Sequence, residues 1–252
     1  MTAKDIGIIV AVLILTFIAL RLTQRFIPHH RREPHNDVAG FIFATVSVVF
    51  AVPLAFVVVA LWTNNDTAHQ TTFKEANELA GIYWIARQMP LPLGAELEHE
   101  TLDYANTVVD QEWPLLAKHE TSPSATALVY QMRDSVFAFK PTGAAEQVEY
   151  DHAMTHVEAL AGERRERLNQ ADDSLPKLLW AILIGSALIT IAFTFLFGLS
   201  SSLAHTVMVM TLAGLVVVSL VVVREMSYPY AGTMAVHPTA FEVFLARLPA
   251  PR

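Results

Sequence analysis

The chain contains no cysteine. That excludes disulfides, thiolate metal sites and cysteine nucleophiles, and leaves the redox compartment open. Glycine is scarce as well, with 10 in 252 residues. None are grouped as a phosphate-cradling loop, a dinucleotide fingerprint or a nucleophile elbow, and there is no His-Glu-x-x-His pair. No catalytic constellation emerges, so the sequence reads as that of a non-enzyme. Positive charge is also short. The chain nets −7, and Thr63–Leu175 holds nineteen acidic and eight basic residues, a net of −11. Duplex binding rests on neutralising phosphates with Lys and Arg, so nucleic acid is not an expected partner.

Four apolar runs are present: Ile6–Leu20, Val38–Trp62, Leu178–Leu199 and Leu203–Val223. Each is about as long as the ~20 helical residues that cross a hydrocarbon layer. Backbone groups in lipid must bond within their own segment, which selects helices. The predicted fold is therefore all-α and integral to the membrane. Four transmembrane helices form two hairpins, with a helical extramembrane domain between them. Residues 1–62 hold transmembrane helices 1 and 2, and residues 63–175 form the acidic domain. Residues 176–223 hold helices 3 and 4, and residues 224–252 make an amphipathic tail. The first run precedes Arg21-Leu22-Thr23-Gln24-Arg25 rather than a small-x-small cleavage site, so it reads as a retained helix with Arg21 snorkelling.

The pattern also sets local expectations. Asn36-Asp37 are expected to cap the second span. Thr67–Met89 reads as a helix prolonging that span, stopped by Pro90 and Pro92. Gly94–Leu116 is the next helix. Ser122 as N-cap with Pro123 at the first helical position opens another, to about Phe139. Gly143–Gln170 follows, and its Glu163-Arg164-Arg165-Glu166-Arg167 reads as a solvated face with local ion pairs. The third span is expected to open at Ser174 and Pro176, and Pro238–Leu248 to form a short terminal helix. Basic residues near helix ends number seven on the middle-domain side (Lys4, Lys74, Arg164, Arg165, Arg167, Lys177, Arg224). Four lie in or beside the first loop (Arg21, Arg25, Arg31, Arg32). The balance favours a cytoplasmic middle domain.

Candidate functional residues are few. His152 and His156, at i and i+4, share a helical face with Glu149 one turn earlier. That spacing can hold a metal, but zinc takes three or four ligands, so no firm metal site and no cofactor is read. His29, His30 and His35 cluster in the first loop, where a solvated role suits them. Within the four runs only His205 can ionise, whereas ion-coupled pumps rely on intramembrane carboxylates or bases. A passive pore needs less, because apolar constrictions gate by dewetting. Thr45, Val49, Pro53 and Phe56 share one face of the second span and form a candidate pore-lining stripe. Packing of that stripe against a neighbouring helix is the competing reading, and Pro53 kinks the span in either case.

An ordered series of patches carries a family resemblance. It comprises Asn36-Asp37, Ala55–Trp62, Glu75-Ala76-Asn77-Glu78-Leu79, Tyr104, Glu112-Trp113-Pro114 and Arg165-x-Arg167-Leu168. It continues with Leu175-Pro176 and Trp180, Tyr228-Pro229-Tyr230-Ala231-Gly232 and Pro238-x-x-Phe241. The series covers nearly the whole chain and resembles the bestrophin-like family of bacterial membrane proteins, distantly similar to bestrophin anion channels. Tyr230 stands where phenylalanine is expected, and Ser227 where an acidic or polar residue is more usual. The resemblance implies a homopentameric channel for small anions in the bacterial inner membrane, with the second span around the pore. The aromatic-rich neck of bestrophins is missing here. Only Glu225 and Glu242 stand where their calcium clasp would be, so no calcium binding is implied. The alternative reading is a membrane-anchored accessory subunit whose acidic domain binds a protein partner.

Overall fold

A computed structural model describes residues 2–249 of the chain. Every regular element among them is helical, and four helices are long and apolar enough to cross a membrane. The chain divides into two compact units. One takes in the chain up to Thr63 together with Ser174–Ser227; the other takes in Asn64–Asp173 and the chain from Tyr228 onward.

In the first unit, α1 (Ala3–Phe26) opens with a capping box between Thr2 and Asp5, which satisfies two of the helix's free amides reciprocally. After Pro28 the chain turns at once into α2 (His29–Arg32) and a 3-10 turn (Glu33–His35). These run straight into α3 (Asn36–Ala86), which contributes to both units. Asn36 therefore does not cap a helix, contrary to expectation: its backbone is already helical, at φ −57° and ψ −41°. Its amide instead pairs with Gly198, donating to the carbonyl at 2.8 Å and accepting from the amide at 2.9 Å. Arg32, expected in a solvated loop, is buried and donates to the Phe195 carbonyl at 2.7 Å. Gly198 is required at this contact, because a Cβ there would strike the backbone of His29, Arg32 and Glu33.

The third apolar run ends earlier than its hydropathy suggests. Helix α8 spans Lys177–Thr194, and α9 spans Ser202–Met226 with the Ser201 hydroxyl capping the Ala204 amide. Phe50, Val57 and Leu61 form the inner face of α3 in this unit. They pack on Leu183, Ala187 and Ile191 of α8 and on Ala213, Val216 and Val223 of α9. The main neighbour of α1 is α9 rather than α3. The α1–α9 pair is antiparallel and pinned at both ends. Asp5 accepts from Arg224 at 2.9 Å. At the other end Gln24 meets His205 Nδ1 at 3.3 Å and accepts from Ser202 at 3.1 Å. Asp5 and Gln24 are nineteen positions apart, as are His205 and Arg224. At 1.5 Å per residue the two polar clamps stand about 28 Å apart, close to the thickness of a hydrocarbon layer. His205 Nε2 reaches the Thr194 carbonyl at 3.1 Å, so the ring is fully engaged in holding this end.

In the second unit, α3 is joined by α4 (Leu93–Thr107), a π segment (Val108–Glu112) and α5 (Trp113–Leu116). Helices α6 (Pro123–Ala138), α7 (Ala144–Asp172) and α10 (Thr239–Arg247) complete it. Ser122 caps α6 through the Ala125 amide at 3.2 Å, with Pro123 at the first helical position. Leu79, Tyr83, Leu97, Met132 and Leu160 centre one apolar core. Tyr230, Val236 and Phe241 from the C-terminal segment are built into that same core.

Candidate functional site

Two features of α3 bear on function, one in each unit. In the first unit the helix packs on one side only. Of the predicted stripe, Thr45 is exposed, Val49 is 60% exposed, Phe56 is 72% exposed and Pro53 is half-buried. The stripe turns away from the α8 and α9 contacts that bury Phe50, Val57 and Leu61. Val59 and Trp62 are exposed as well. Pro53 has no N–H to donate to the Val49 carbonyl. An unsatisfied carbonyl at the depth of hydrocarbon is costly unless water or a neighbour meets it.

The second feature is a buried charge network. Glu75 projects from α3, Tyr104 from α4, Glu112 from the π segment, and Arg164 and Arg167 from α7. Arg167 donates to Glu75 through Nε at 2.6 Å and Nη2 at 3.0 Å, and to Glu112 at 2.7 Å. Arg164 Nη2 donates to the other oxygen of Glu112 at 2.5 Å, and that oxygen also accepts from the Ser122 amide at 3.2 Å. Tyr104 donates to Glu75 at 2.5 Å. The Arg167 guanidinium lies 5.2 Å from the Trp113 ring centroid, and the Trp113 indole N–H donates to the Val236 carbonyl at 3.0 Å. Two guanidiniums thus face two carboxylates with no solvent contact at the centre. The wide turn of the π segment places consecutive Glu112 and Trp113 both inside, a local widening of a kind found often at functional sites.

The electrostatics follow from this geometry. Burial opposes the charge on Glu112, but Arg167 and Arg164 outweigh it and hold its carboxyl below the usual range. Burial likewise opposes the charge on Arg167, yet Glu75 and Glu112 keep it firmly protonated, well above its ordinary value. Burial and the adjacent Glu75 charge push Tyr104 well up. Burial raises Tyr230 to about 12. The shifts of Glu112, Arg167 and Tyr104 all run away from neutrality. The arrangement fixes the positions of α3, α4, the π segment and α7 relative to one another.

Arg164 and Arg167 are buried, not part of a solvated face, because α7 turns both inward onto Glu112 and Glu75. Glu75, Glu98, Glu100 and Glu112 of the acidic domain are likewise buried. A stripe of charge on helices of low apolar content gives no sign of this, because the partners lie 52 to 92 residues away. A signal did exist: Glu75, Tyr104, Glu112-Trp113, Arg167, Tyr230 and Phe241 are the residues of the family-like patches, and they converge in space.

The histidine pattern resolves differently. His152 is exposed, and His156 Nδ1 meets Glu78 of α3 at 2.7 Å. The His156 ring packs over Gly81, where a Cβ would overlap it. Among the described residues no group of three His, Cys, Asp or Glu is arranged to hold a metal, and Glu149 does not join the two histidines in one. His29, His30 and His35 are exposed.

A family model described as a Bestrophin-like domain matches residues 10–241. No curated protein and no solved structure matches.

Proposed function

The chain belongs to the bestrophin-like family, and from that premise we propose that it forms a homo-oligomeric, pentameric channel for small anions with the outward face of α3 turned to the pore. The observation that carries the reading is the exposed stripe of Thr45, Val49 and Phe56 beside Pro53. A membrane helix packed on one side only leaves the other for lipid, for a second copy or for water. The freed Val49 carbonyl favours water or a donor over lipid. Val49 and Phe56 supply the apolar collar that can gate by dewetting, and Thr45 a hydroxyl near one end. No charge sits on the stripe, which suits passive conduction. The clamps at Asp5–Arg224 and Gln24–His205 give α1 and α9 a frame of membrane height. In this reading the protein resides in the bacterial inner membrane with the acidic unit in the cytoplasm.

The test is purified protein in liposomes with halide flux recorded, alongside native mass in detergent. Flux from a five-copy species supports the channel. A monomer without flux under any voltage or pH overturns it. The accessory-subunit reading rests on the −11 net charge of residues 63–175. It is favoured if affinity capture returns one stoichiometric protein partner and no self-association.

A further inference from the structure

A cavity of about 410 Å³ opens between α6 and α7 in the second unit. Its lining brings together Arg133 of α6 with Arg164 and Arg165 of α7, the hydroxyls of Thr126 and Tyr130, and one carboxylate, Glu158. This gathering of guanidiniums runs against the composition of the surrounding sequence, which nets −11 over residues 63–175. Arg164 is 6% exposed. Its Nη2 is committed to Glu112 and Thr126, while its Nε is buried without a hydrogen-bond partner. Arg133 and Arg165 are exposed. Among the described residues neither makes an ion pair. Arg133 lies over the Phe137 ring at 5.4 Å, which supports its stem on α6.

The geometry points to a binding site for a small organic phosphate. Guanidinium forks pair with phosphate oxygens through charge-assisted bonds, and several can act on one phosphate at once. Arg164 sets the positive wall from within the fold, held in place by Glu112. Arg133 and Arg165 approach from the two helices at the rim. Val129, Val157 and Ala161 form an apolar wall, so a phosphate monoester with a compact apolar group matches the lining better than bare phosphate. Glu158 opposes any anion and limits affinity. The site belongs wholly to the second unit and stands whatever conduit α3 does or does not border.

The experiment uses the full chain in a maltoside detergent at low ionic strength, titrated calorimetrically with inorganic phosphate and with phenyl phosphate. Phenyl phosphate is expected to bind about tenfold more tightly, from burial of the ring on the apolar wall. Both affinities should fall as salt is added. The double variant Arg133→Glu/Arg165→Glu alters only exposed side chains and is expected to keep the thermal midpoint while weakening phenyl phosphate by about a hundredfold. Glu158→Gln is expected to tighten it severalfold. Absence of binding by the native chain at millimolar probe overturns the site, as does equal binding by the double variant. If the double variant loses its melting transition, Glu158→Gln decides, and an unchanged affinity there overturns the site.

Discussion

Arg167 grips Glu75 through two parallel hydrogen bonds of 2.6 and 3.0 Å between residues 92 positions apart. Neither side chain has exposed surface. The fork ties α7 to α3, and the same guanidinium reaches on to Glu112 at 2.7 Å. Desolvating these charges is expensive, so the network is weak grounds for extra stability. Losing one partner is another matter, because it leaves the other charges buried and uncompensated.

Arg167→Leu should therefore cost about 3–5 kcal/mol. It would be read as a fall in the unfolding midpoint of the detergent-solubilised chain. Arg167→Lys should recover only part of the loss, since an ammonium cannot reproduce the fork. A variant as stable as the native chain would show that the network is not under tension from its charges.

Two buried glutamates should respond in opposite directions to amide substitution. Glu100 accepts from Ser135 at 2.8 Å, but its second oxygen is buried without a partner, and burial pushes its carboxyl up. Glu100→Gln is expected to be neutral or stabilising by about 1 kcal/mol, because it removes a poorly compensated charge. Glu112→Gln gives up charge-assisted bonds to two arginines and should cost about 2–3 kcal/mol. Chemical denaturation of the two variants side by side checks the contrast.

The pH dependence follows from the signs. Glu112 titrates below its ordinary value of 4.5 in the folded chain. The stability it contributes is present above that value and is lost as the pH falls through the lowered folded one. Tyr104 and Tyr230 titrate above their ordinary value of 10.0, Tyr230 at about 12. Their contribution is complete below pH 10.0 and is lost as the pH rises through the folded values. Denaturation midpoints should thus fall off on both the acid and the strongly alkaline side, and Tyr230→Phe should blunt the alkaline loss.

The lack of native cysteine makes accessibility labelling clean. Single cysteines at Lys4 and Arg25, exposed neighbours of the two clamps, should react with a hydrophilic maleimide applied to both faces of lysed vesicles. A cysteine at Ile14, which is 53% exposed on the subunit but lies between the clamps, should stay unlabelled if lipid covers it. Equal labelling at all three would remove α1 from the bilayer.

If the α3 stripe borders the conduit, a charge at Thr45 must act on permeating ions. Thr45→Lys is expected to raise the anion-to-cation permeability ratio severalfold, and Thr45→Glu to lower it. Reversal potentials in planar bilayers measure the shift. The same two charges at Val38, 66% exposed at the start of the second apolar run, should have a smaller effect.

The spans were legible because lipid imposes a simple rule: long uncharged runs become helices. In the second unit Ser122–Pro123 marked the start of α6, and Pro90 with Pro92 the stop after α3, through local backbone chemistry that needs no distant partner. Asn36 misled for the converse reason. Its side chain is a good cap in isolation, but the distant Gly198 backbone offers both a donor and an acceptor. The buried charges were illegible in the same way. Whether Arg167 faces water or Glu75 depends on how α7 rotates against α3, and no short-range pattern records that rotation.

The sequence by itself thus determined the helical class, the four apolar runs and the acidic middle, all matters of local periodicity and solvent preference. Only the tertiary structure decided that α1 pairs chiefly with α9, that Arg164 and Arg167 turn inward onto Glu75 and Glu112, and that Arg133 joins Arg164 and Arg165 around one cavity. These are contacts between residues far apart in the chain. Their free energy comes from mutual desolvation and pairing, which exists only once the helices have met.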